Sequence, residues 1–313
     1  GEEAFSRTLF STNYGFDVSV QEYFSTLLCG GMGYIITLEE KQDTKKCREI
    51  ISANDIRTIF ATSSYFEMLT NNDTELLTKN IRNVILAGES FKVSNKLLET
   101  KEASHIRLHN HYGPTETHVV TEKYATVGEL RKEKNLDLGK PIANTQIYMM
   151  NGDNLCGIGV PGELCIAGDG LARGYLNRPE LTAEKFVKNP FGEGRMYRSG
   201  DLARWLPDGN IEYLGRIDEQ VKIRGFRIEL GEIESRIREI ENIKDCAVIA
   251  RADSSGDKAI YAYYTSDEEV SVSEIRDTLS ASLPEYMVPA YMMQIDAIPV
   301  TRNGKLDKRA LPE

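Results

Sequence analysis

Two patterns of hydrophobic and polar positions alternate along the first third of the chain. Short apolar runs such as TLFST (8–12), NVILAG (83–88) and HIRLHNHYG (105–113) are typical of buried strands. Between such runs, apolar residues recur at helical spacing, as they do after the N-cap candidate Asp17 and across residues 43–53. Strands that alternate with helices predict a mostly parallel sheet that is covered on both faces.

The pattern changes between residues 126 and 217, where glycine and proline become frequent. Short β-like runs lie between turn signals there, namely TQIYMM (145–150), GELCIAG (162–168) and IEYLG (211–215). Many short strands separated by turns predict a small, distorted antiparallel β-barrel.

A third pattern occupies the C-terminal residues. Leu230, Ile233 and Ile237 are spaced three and four apart, which predicts one apolar helix face. Two strand-like runs follow, and the stretch 271–274 (SVSE) has the spacing of a capping box at the start of another helix. These elements predict a small α+β unit.

The chain is therefore predicted to be of the α/β class with three parts. They are an α/β part at 1–125, a β-barrel part at 126–217 and an α+β part at 218–313. In mostly parallel sheets, ligands bind beyond the carboxyl ends of the strands. The loops that follow Thr62 and Gly88 and the loop around Tyr112-Gly113 are the places where a site is expected.

Composition narrows the class of protein further. Apolar residues make up 41% and charged residues 27% of the 313 positions, which is the profile of a globular protein with a sizeable core. The net charge of -10 argues against nucleic acid or an anionic membrane as a partner. No apolar run approaches the ~20 residues that a membrane span needs. Five cysteines without CxxC spacing favour reduced thiols and a cytoplasmic location.

The four histidines all lie between positions 105 and 118, around the stretch LHNHYGPTETHVV (108–120). Zinc sites use cysteine or histidine ligands at helix or knuckle spacing. His109 and His111 alternate along a predicted strand and share a face, but no cysteine lies near them in the sequence. Zinc binding is therefore an alternative that the spacing disfavours.

Four phrases follow one another in a fixed order: YGPTE (112–116), RSGDLARW (198–205), GRIDEQVKIRGFRIELGEIE (215–234) and NGKLDKRALP (303–312). Together they resemble the adenylate-forming superfamily, in particular the adenylation domains of nonribosomal peptide synthetases. The resemblance implies ATP-dependent formation of an aminoacyl-adenylate with release of pyrophosphate. It also implies transfer of the aminoacyl group to the phosphopantetheine thiol of a carrier domain, beside a condensation domain, in the biosynthesis of an antibiotic or another secondary metabolite.

The chemistry implied by the resemblance suits the residue types. A carboxylate that attacks the α-phosphorus of ATP gains negative charge in the transition state, so catalysis consists mostly of positioning and charge neutralisation. Lys305 follows the turn signal Asn303-Gly304, which would carry it at a hairpin tip. The resemblance implies that Lys305 is catalytic and binds the substrate carboxylate and a phosphate oxygen. Considered alone, it would be an ordinary exposed lysine.

The resemblance also implies a nucleotide site. Thr115 would contact phosphate, Glu116 would bind Mg2+, and Asp201 would hold the ribose hydroxyls. Thr-Glu and Gly-Asp are also common in turns, which is the plainer interpretation of each. The remaining nucleotide-binding candidates are Gly88, the adenine-flanking Tyr112 and Tyr213, Arg216 and Lys222, with Asp218 as the hinge between the large and small domains.

Asp17 carries most of the information on the substrate, because the resemblance implies that it pairs with an amino group, although it also suits a helix cap. The other pocket positions would be Val18, Gln21, Phe60, Ile85, Ala87, His111, Val119 and Val120. This lining is small and mostly apolar, which fits a compact substrate, and it resembles that of proline-activating domains. We therefore predict L-proline. Pipecolate or another small imino or aliphatic acid also fits, because one methylene changes specificity by only ~1–3 kcal/mol. His105, His109 and His118 are expected to be structural or exposed.

The family's phosphate-binding loop should precede FDVSV (16–20), and it is not among these residues. We therefore expect the chain to be the C-terminal part of an adenylation domain and a poor catalyst alone. An acyl- or aryl-acid:CoA ligase is an alternative that Asp17 disfavours. A non-catalytic binding module is another, disfavoured by the joint presence of Lys305, Glu116 and Asp201.

Overall fold

The computed structural model describes residues 5–70, 79–133, 136–217, 220–223, 225–252, 258–268, 270–300 and 306–312. The chain divides into two compact units, residues 1–217 and 218–313. The first unit contains a mostly parallel sheet and a curled antiparallel sheet, and the second contains a small sheet with helices. The predicted fold class is confirmed. No helix in the described ranges has the length and apolar character that crossing a membrane requires.

The mostly parallel sheet has seven strands in the order β2-β1-β3-β4-β5-β6-β7, and β6 and β7 are antiparallel to their neighbours. Its strands are β1 Arg7–Phe10, β2 Met32–Ile35, β3 Thr58–Ala61, β4 Asn83–Leu86, β5 Arg107–Tyr112, β6 Thr121–Thr126 and β7 Lys140–Pro141. Its helices are α1 Val18–Leu28, α2 Leu38–Gln42, α3 Thr44–Ala53, α4 Ser63–Thr70, α5 Asn95–Glu99 and α6 Val127–Glu133, with a 3-10 turn at Lys101–His105.

The two faces of this sheet differ in chemistry. On one face, Leu9, Val84 and Leu108 are buried in the main apolar core of the unit. On the other face the strand register aligns Phe60 with Ile85, and Ile85 with His109. Because residues paired across neighbouring strands share a face, the predicted pocket residues Phe60 and Ile85 lie on the same surface as the histidines of β5.

Helix α1 forms where the sequence predicts it, but its apolar residues face outward. Glu22 is fully buried and accepts hydrogen bonds from the backbone N–H groups of Ser11 (3.2 Å) and Thr12 (3.3 Å). The Thr26 hydroxyl donates to that of Thr8 at 2.8 Å. The end of β1 presents polar groups, so the polar side of the helix satisfies them. The exposed residues are Val20, Phe24, Leu27 and Leu28.

The curled antiparallel sheet confirms the barrel-like class predicted for the middle of the chain. It runs β11-β12-β10-β8-β9, with β13 paired to β12. Leu164, Ile166 and Tyr197 lie at its core, each at most 1% exposed. Its elements are β8 Thr145–Asn151, β9 Asn154–Leu155, β10 Gly162–Gly168, α7 Pro179–Lys185, β11 Phe186–Lys188, β12 Arg195–Trp205 and β13 Ile211–Arg216.

The second unit is the predicted α+β fold. Leu230, Ile233 and Ile237 are buried on one side of their helix, as the spacing predicts. The predicted capping box is wrong, because the Ser271 side chain makes no cap hydrogen bond and its hydroxyl lies 2.6 Å from that of Ser273. The elements are β14 Val221–Ile223, β15 Phe226–Ile228, α8 Leu230–Arg238, β16 Ile243–Ala252, β17 Lys258–Ser266, α9 Val272–Ser282, a 3-10 turn Glu285–Met287 and β18 Tyr291–Gln294.

Candidate functional site

The loop between β5 and β6 is folded tightly back on itself. A Cβ on Gly113 would lie 1.7 Å from the carbonyl oxygen of His118, so only glycine allows this close approach. The Val120 N–H donates to the Tyr112 carbonyl at 2.8 Å and closes the loop. The loop therefore holds Glu116 at a fixed position beyond the end of the parallel strands.

A buried carboxylate lies beside this loop. The Tyr112 hydroxyl donates to Asp201 Oδ2 at 2.5 Å, and an Arg216 guanidinium nitrogen donates to Oδ1 at 3.0 Å. The Tyr213 hydroxyl approaches Oδ1 at 3.4 Å, and the two tyrosine rings have centroids 6.4 Å apart. The structure thus brings four of the predicted nucleotide-binding residues into one cluster.

Electrostatics explain why this cluster holds together. The Asp201 side chain is 4% exposed and that of Arg216 is 14% exposed, and the two residues lie opposite each other on β12 and β13. Burial, and then the Asp201 carboxylate, raise the pKa of Tyr112 well above its usual value, so its phenol stays protonated and donates. A carboxylate has about four lone-pair sites, so Asp201 can accept further donors such as ribose hydroxyls.

Glu116 is the second buried carboxylate of this region, at 8% exposure. The Tyr175 hydroxyl donates to its Oε1 at 2.6 Å and lies 3.4 Å from the Tyr197 hydroxyl. Burial, and then this hydrogen bond, raise the pKa of Tyr175 above its usual value, so it remains a neutral donor. Thr115, beside Glu116, is exposed. An oriented carboxylate next to an exposed hydroxyl has the oxygen chemistry that Mg2+ prefers.

Asp17 occupies the N-cap position of α1, where its Oδ1 accepts the N–H of the next residue, Val18, at 2.8 Å. His118 Nε2 lies 3.3 Å from the Asp17 carbonyl oxygen, which joins the loop to the helix. One turn further, Gln21 Nε2 lies 3.2 Å from His111 Nδ1. Asp17, Gln21 and His111 are therefore linked through α1 and the β5–β6 connection.

The other predicted pocket residues differ in how far they are buried. Val18, Ala87 and Val119 are half-buried, and Ala87 donates its N–H to the Ala61 carbonyl at 3.2 Å. Gly88 follows the end of β4 and has a φ of 84°, in the left-handed region that favours glycine. Val120 is 1% exposed and packs into the core of the curled sheet.

The β5 histidines contact a carboxylate that the sequence analysis did not identify. Glu122, on β6, is opposite His111 in the strand register. Its Oε1 lies 2.7 Å from His109 Nδ1 and 3.6 Å from His111 Nε2. The hydrogen bond with His109, and then the contact with His111, hold the pKa of Glu122 well below its usual range. The three ligand atoms lie within 4.8 Å of one another.

The sequence analysis did not identify Glu122 or Tyr175, because contacts between distant segments bring these two residues to the site. Glu122 is separated from His109 by a whole loop, and only the β5–β6 register brings them together. Tyr175 reaches Glu116 across 59 positions, and the sequence carries no local sign of this contact. His105 is exposed, and its Nε2 lies 2.9 Å from an Arg82 guanidinium nitrogen.

Three predicted residues belong to the C-terminal unit or its border. Lys222 lies in β14, opposite Arg227. The catalytic candidate Lys305 and the hinge candidate Asp218 lie outside the described residues. Their roles stay predictions from the sequence.

Comparison with known proteins gives matches over nearly the whole chain. The AMP-binding enzyme family matches residues 3–176, and the AMP-binding enzyme C-terminal domain matches residues 232–305. Tyrocidine synthase 3 of Brevibacillus parabrevis is 45% identical over 96% of this chain, and tyrocidine synthase 2 of the same organism is 46% identical over 98%. The chain spans only 5% and 9% of the lengths of these two proteins.

Solved structures show the same fold. The holo form of PA1221, an NRPS protein containing adenylation and PCP domains, matches with a TM-score of 0.81 at 28% identity. That match covers 97% of this chain and 52% of the other. Holo-AB3403, a four-domain nonribosomal peptide synthetase bound to AMP and glycine, matches at 36% identity with a TM-score of 0.60. That match covers 98% of this chain and 23% of the other.

The buried pair in the Asp201 cluster gives a stability prediction. Replacing Arg216 by Met leaves the Asp201 carboxylate buried without its cation. We expect the free energy of unfolding of the first unit to fall by about 3–5 kcal/mol. Urea unfolding followed by the fluorescence of Trp205, the single tryptophan, measures it.

A matched control lies on the same two strands. Arg204 and Glu212 form an ion pair between β12 and β13 in which both side chains are 39% exposed. Arg204→Met should cost less than about 1 kcal/mol, because exposed pairs contribute little. The double variant Asp201→Asn with Arg216→Met should recover much of the loss. Equal effects of the two arginine substitutions would contradict this account.

Proposed function

Because the chain belongs to the AMP-binding enzyme family, we propose that it is the amino-acid-activating part of a nonribosomal peptide synthetase. The proposed reaction joins an amino acid and ATP into an aminoacyl-adenylate and releases pyrophosphate. The aminoacyl group then passes to the phosphopantetheine thiol of a carrier domain, and AMP is released. Carrier and condensation domains of the same synthetase are the expected partners, a proposal supported by the relatives named above.

The observation that carries this proposal is the single loop that connects two sites. Glu116 in the loop lies on the nucleotide side, and His118 in the same loop contacts the Asp17 carbonyl at 3.3 Å on the helix that bears the amino-acid pocket. An adenylating enzyme must hold a carboxylate close to the α-phosphorus of ATP. A rigid loop between the two binding regions supports that arrangement.

Four residues of the chain have a role in the proposed first step. A substrate carboxylate oxygen forms a bond to the α-phosphorus, while the bond to the leaving pyrophosphate breaks. Asp17 holds the substrate amino group and Asp201 holds the ribose. Lys305 neutralises charge on the reacting carboxylate and phosphate. Glu116 would hold Mg2+, which supplies further charge neutralisation at the phosphates when it is bound.

We propose L-proline as the substrate. The support is the mostly apolar character of the predicted lining, in which Phe60 and Ile85 are buried on one sheet face and His111 is 9% exposed. The titratable groups of that lining are Asp17, which is assigned to the amino group, and His111, whose two ring nitrogens face Gln21 and Glu122. Pipecolate is the closest competitor, because it differs by a single methylene.

A panel of acids tests the reaction and the substrate together. ATP–pyrophosphate exchange should be measured with this chain extended upstream, using L-proline, pipecolate, L-valine and an aryl acid. We expect exchange that depends on L-proline and is weaker with the other amino acids. Exchange with the aryl acid alone would favour the acid:CoA ligase. Absence of exchange with every acid would favour the non-catalytic binding module.

The charge of Asp17 gives a sharper prediction. Asp17→Asn keeps an oxygen to cap α1 but loses the charge that pairs with an ammonium. We expect kcat/KM for proline to fall about 30-fold or more, because breaking a buried charge pair costs about 2–5 kcal/mol. Asp43→Asn is the matched control, since Asp43 caps α3 by accepting the N–H groups of Lys45 and Lys46. It should leave exchange unchanged, and an equal loss in both variants would contradict the role of Asp17.

We further propose that a segment outside these 313 residues covers α1 and carries the phosphate-binding loop. The support is the outward apolar side of the helix, where Phe24 is 59% and Leu28 is 81% exposed. An open hollow of about 530 Å³ runs along it and is also lined by Gln21 and His118. Exposed apolar patches of this kind mark surfaces that bind another part of a protein.

Substitution of this side of α1 tests whether another segment covers it. Phe24→Ser and Leu28→Ser should change the unfolding free energy of the 313-residue chain by less than about 0.5 kcal/mol, because both side chains are exposed. In the upstream-extended chain, each should cost about 2–5 kcal/mol. Leu176→Ser, at a position 88% exposed, should be neutral in both chains. Full proline-dependent exchange by the 313-residue chain alone would overturn this proposal.

A further inference from the structure

The histidines of β5 and Glu122 of β6 form a connected polar network on one face of the sheet. Glu122 Oε1 lies 2.7 Å from His109 Nδ1 and 3.6 Å from His111 Nε2. Asn83 Oδ1 lies 3.3 Å from His109 Nε2, at the far end of the network. Gln21 Nε2 lies 3.2 Å from His111 Nδ1, at the end next to α1.

The carboxylate determines where the imidazole protons lie. An ionised carboxylate only accepts hydrogen bonds, so His109 Nδ1 must carry the proton of its short contact with Glu122. The same oxygen faces His111 Nε2 and favours a proton on that nitrogen as well. In neutral His111, Nδ1 is then a bare acceptor.

The state of His111 in turn orients the amide of Gln21. A bare His111 Nδ1 accepts a hydrogen bond from Gln21 Nε2, which fixes which way the amide is turned. The opposite end of the amide, Oε1, is then buried and has no hydrogen-bond partner among the described residues. Because protein atoms enclose that oxygen, the contact with His111 is the hydrogen bond that decides which way the amide is turned.

The network is also held at its far end, so the two imidazole rings cannot turn freely. His109 Nδ1 contacts Glu122, and its Nε2 lies 3.3 Å from the side-chain amide of Asn83. Its ring packs on that of Tyr124 with centroids 5.4 Å apart, and it meets the His111 ring edge-on at 6.0 Å. His109 therefore keeps Glu122 in place against His111.

We propose that Glu122 and His109 are positioning residues for amino-acid selection: they fix the tautomer of His111 and, through it, the orientation of the Gln21 amide in the predicted amino-acid pocket. This inference rests on the proposed function for the identity of the ligand. Its first part, the tautomer and the amide orientation, concerns this chain alone. Neither Glu122 nor His109 is among the predicted pocket residues.

The tautomer is tested on the 313-residue chain without substrate. Two-bond 1H–15N spectra of the histidine rings report which nitrogen of His111 is protonated. We expect the Nε2-protonated form in the native chain and a mixture of both forms in Glu122→Leu. Tyr124→Phe, on the same face of the same strand, should leave the His111 signals unchanged. An unchanged His111 tautomer in Glu122→Leu would overturn the proposal.

A second variant keeps the test valid if Glu122→Leu fails to fold. Glu122→Asp preserves the carboxylate but draws it back from the rings. We expect it to show a smaller population of the alternative His111 tautomer than His109→Gln, which removes the group that holds Glu122. The reverse order would contradict the positioning role of His109.

The effect on selection is measured by exchange in the upstream-extended chain. Glu122→Leu should raise the KM for the preferred amino acid about tenfold, the size of one misplaced hydrogen bond, and leave the KM for ATP unchanged. An equal rise in the KM for the amino acid and the KM for ATP would show a general structural role and overturn the proposal. If the native chain supports no amino-acid exchange, the proposed function fails, while the spectra still decide the tautomer.

Metal binding is the competing explanation for two histidines and a glutamate in contact. Titration with Zn2+ followed by the same ring spectra separates the two. No change at micromolar Zn2+ supports the proposal. Stoichiometric binding that shifts both rings and requires Glu122 would overturn it, since a metal and a proton cannot occupy the same ring nitrogen.

Discussion

The first unit depends on a carboxylate that is buried between its two sheets. An ionised carboxylate in a protein interior is stable only when donors and a cation surround it. Asp201 obtains the Tyr112 hydroxyl from the parallel sheet and the Arg216 guanidinium from the neighbouring strand of the curled sheet. The two sheets must therefore approach each other at this point, and the nucleotide-binding candidates are held together by a requirement of folding.

The same requirement decides the direction of α1. A helix normally buries its apolar side, and burial of each large apolar side chain contributes about 1.5–3 kcal/mol. Here Glu22 must instead satisfy the backbone donors at the end of β1, so the polar side is turned inward. Because the inner side of α1 is polar, Gln21 can also reach the face of β5 that carries His111.

Local periodicity was sufficient to predict most strands and helices, because it depends on neighbours only a few positions apart. The Asp17 cap was predictable for the same reason. The sequence did not predict which side of α1 is buried, the absence of a cap bond at Ser271 or the contact of Tyr175 with Glu116. These features depend on contacts between distant segments. Lys305 and Asp218 rest on resemblance alone, since no periodic pattern distinguishes a catalytic lysine or a hinge from an ordinary turn residue.

Strand β5 shows how one short segment can serve both regions of the candidate site. Asn110 and Tyr112 point to one face, where Tyr112 donates to Asp201, and His109 and His111 point to the other, where Glu122 and Gln21 lie. A shift of one residue in register would exchange the two sets and destroy both regions. A change of the His111 side chain alone, however, leaves the backbone and the opposite face intact. The alternation of the strand therefore allows the residues of the predicted amino-acid pocket to vary while the buried carboxylate on the other face keeps its donors.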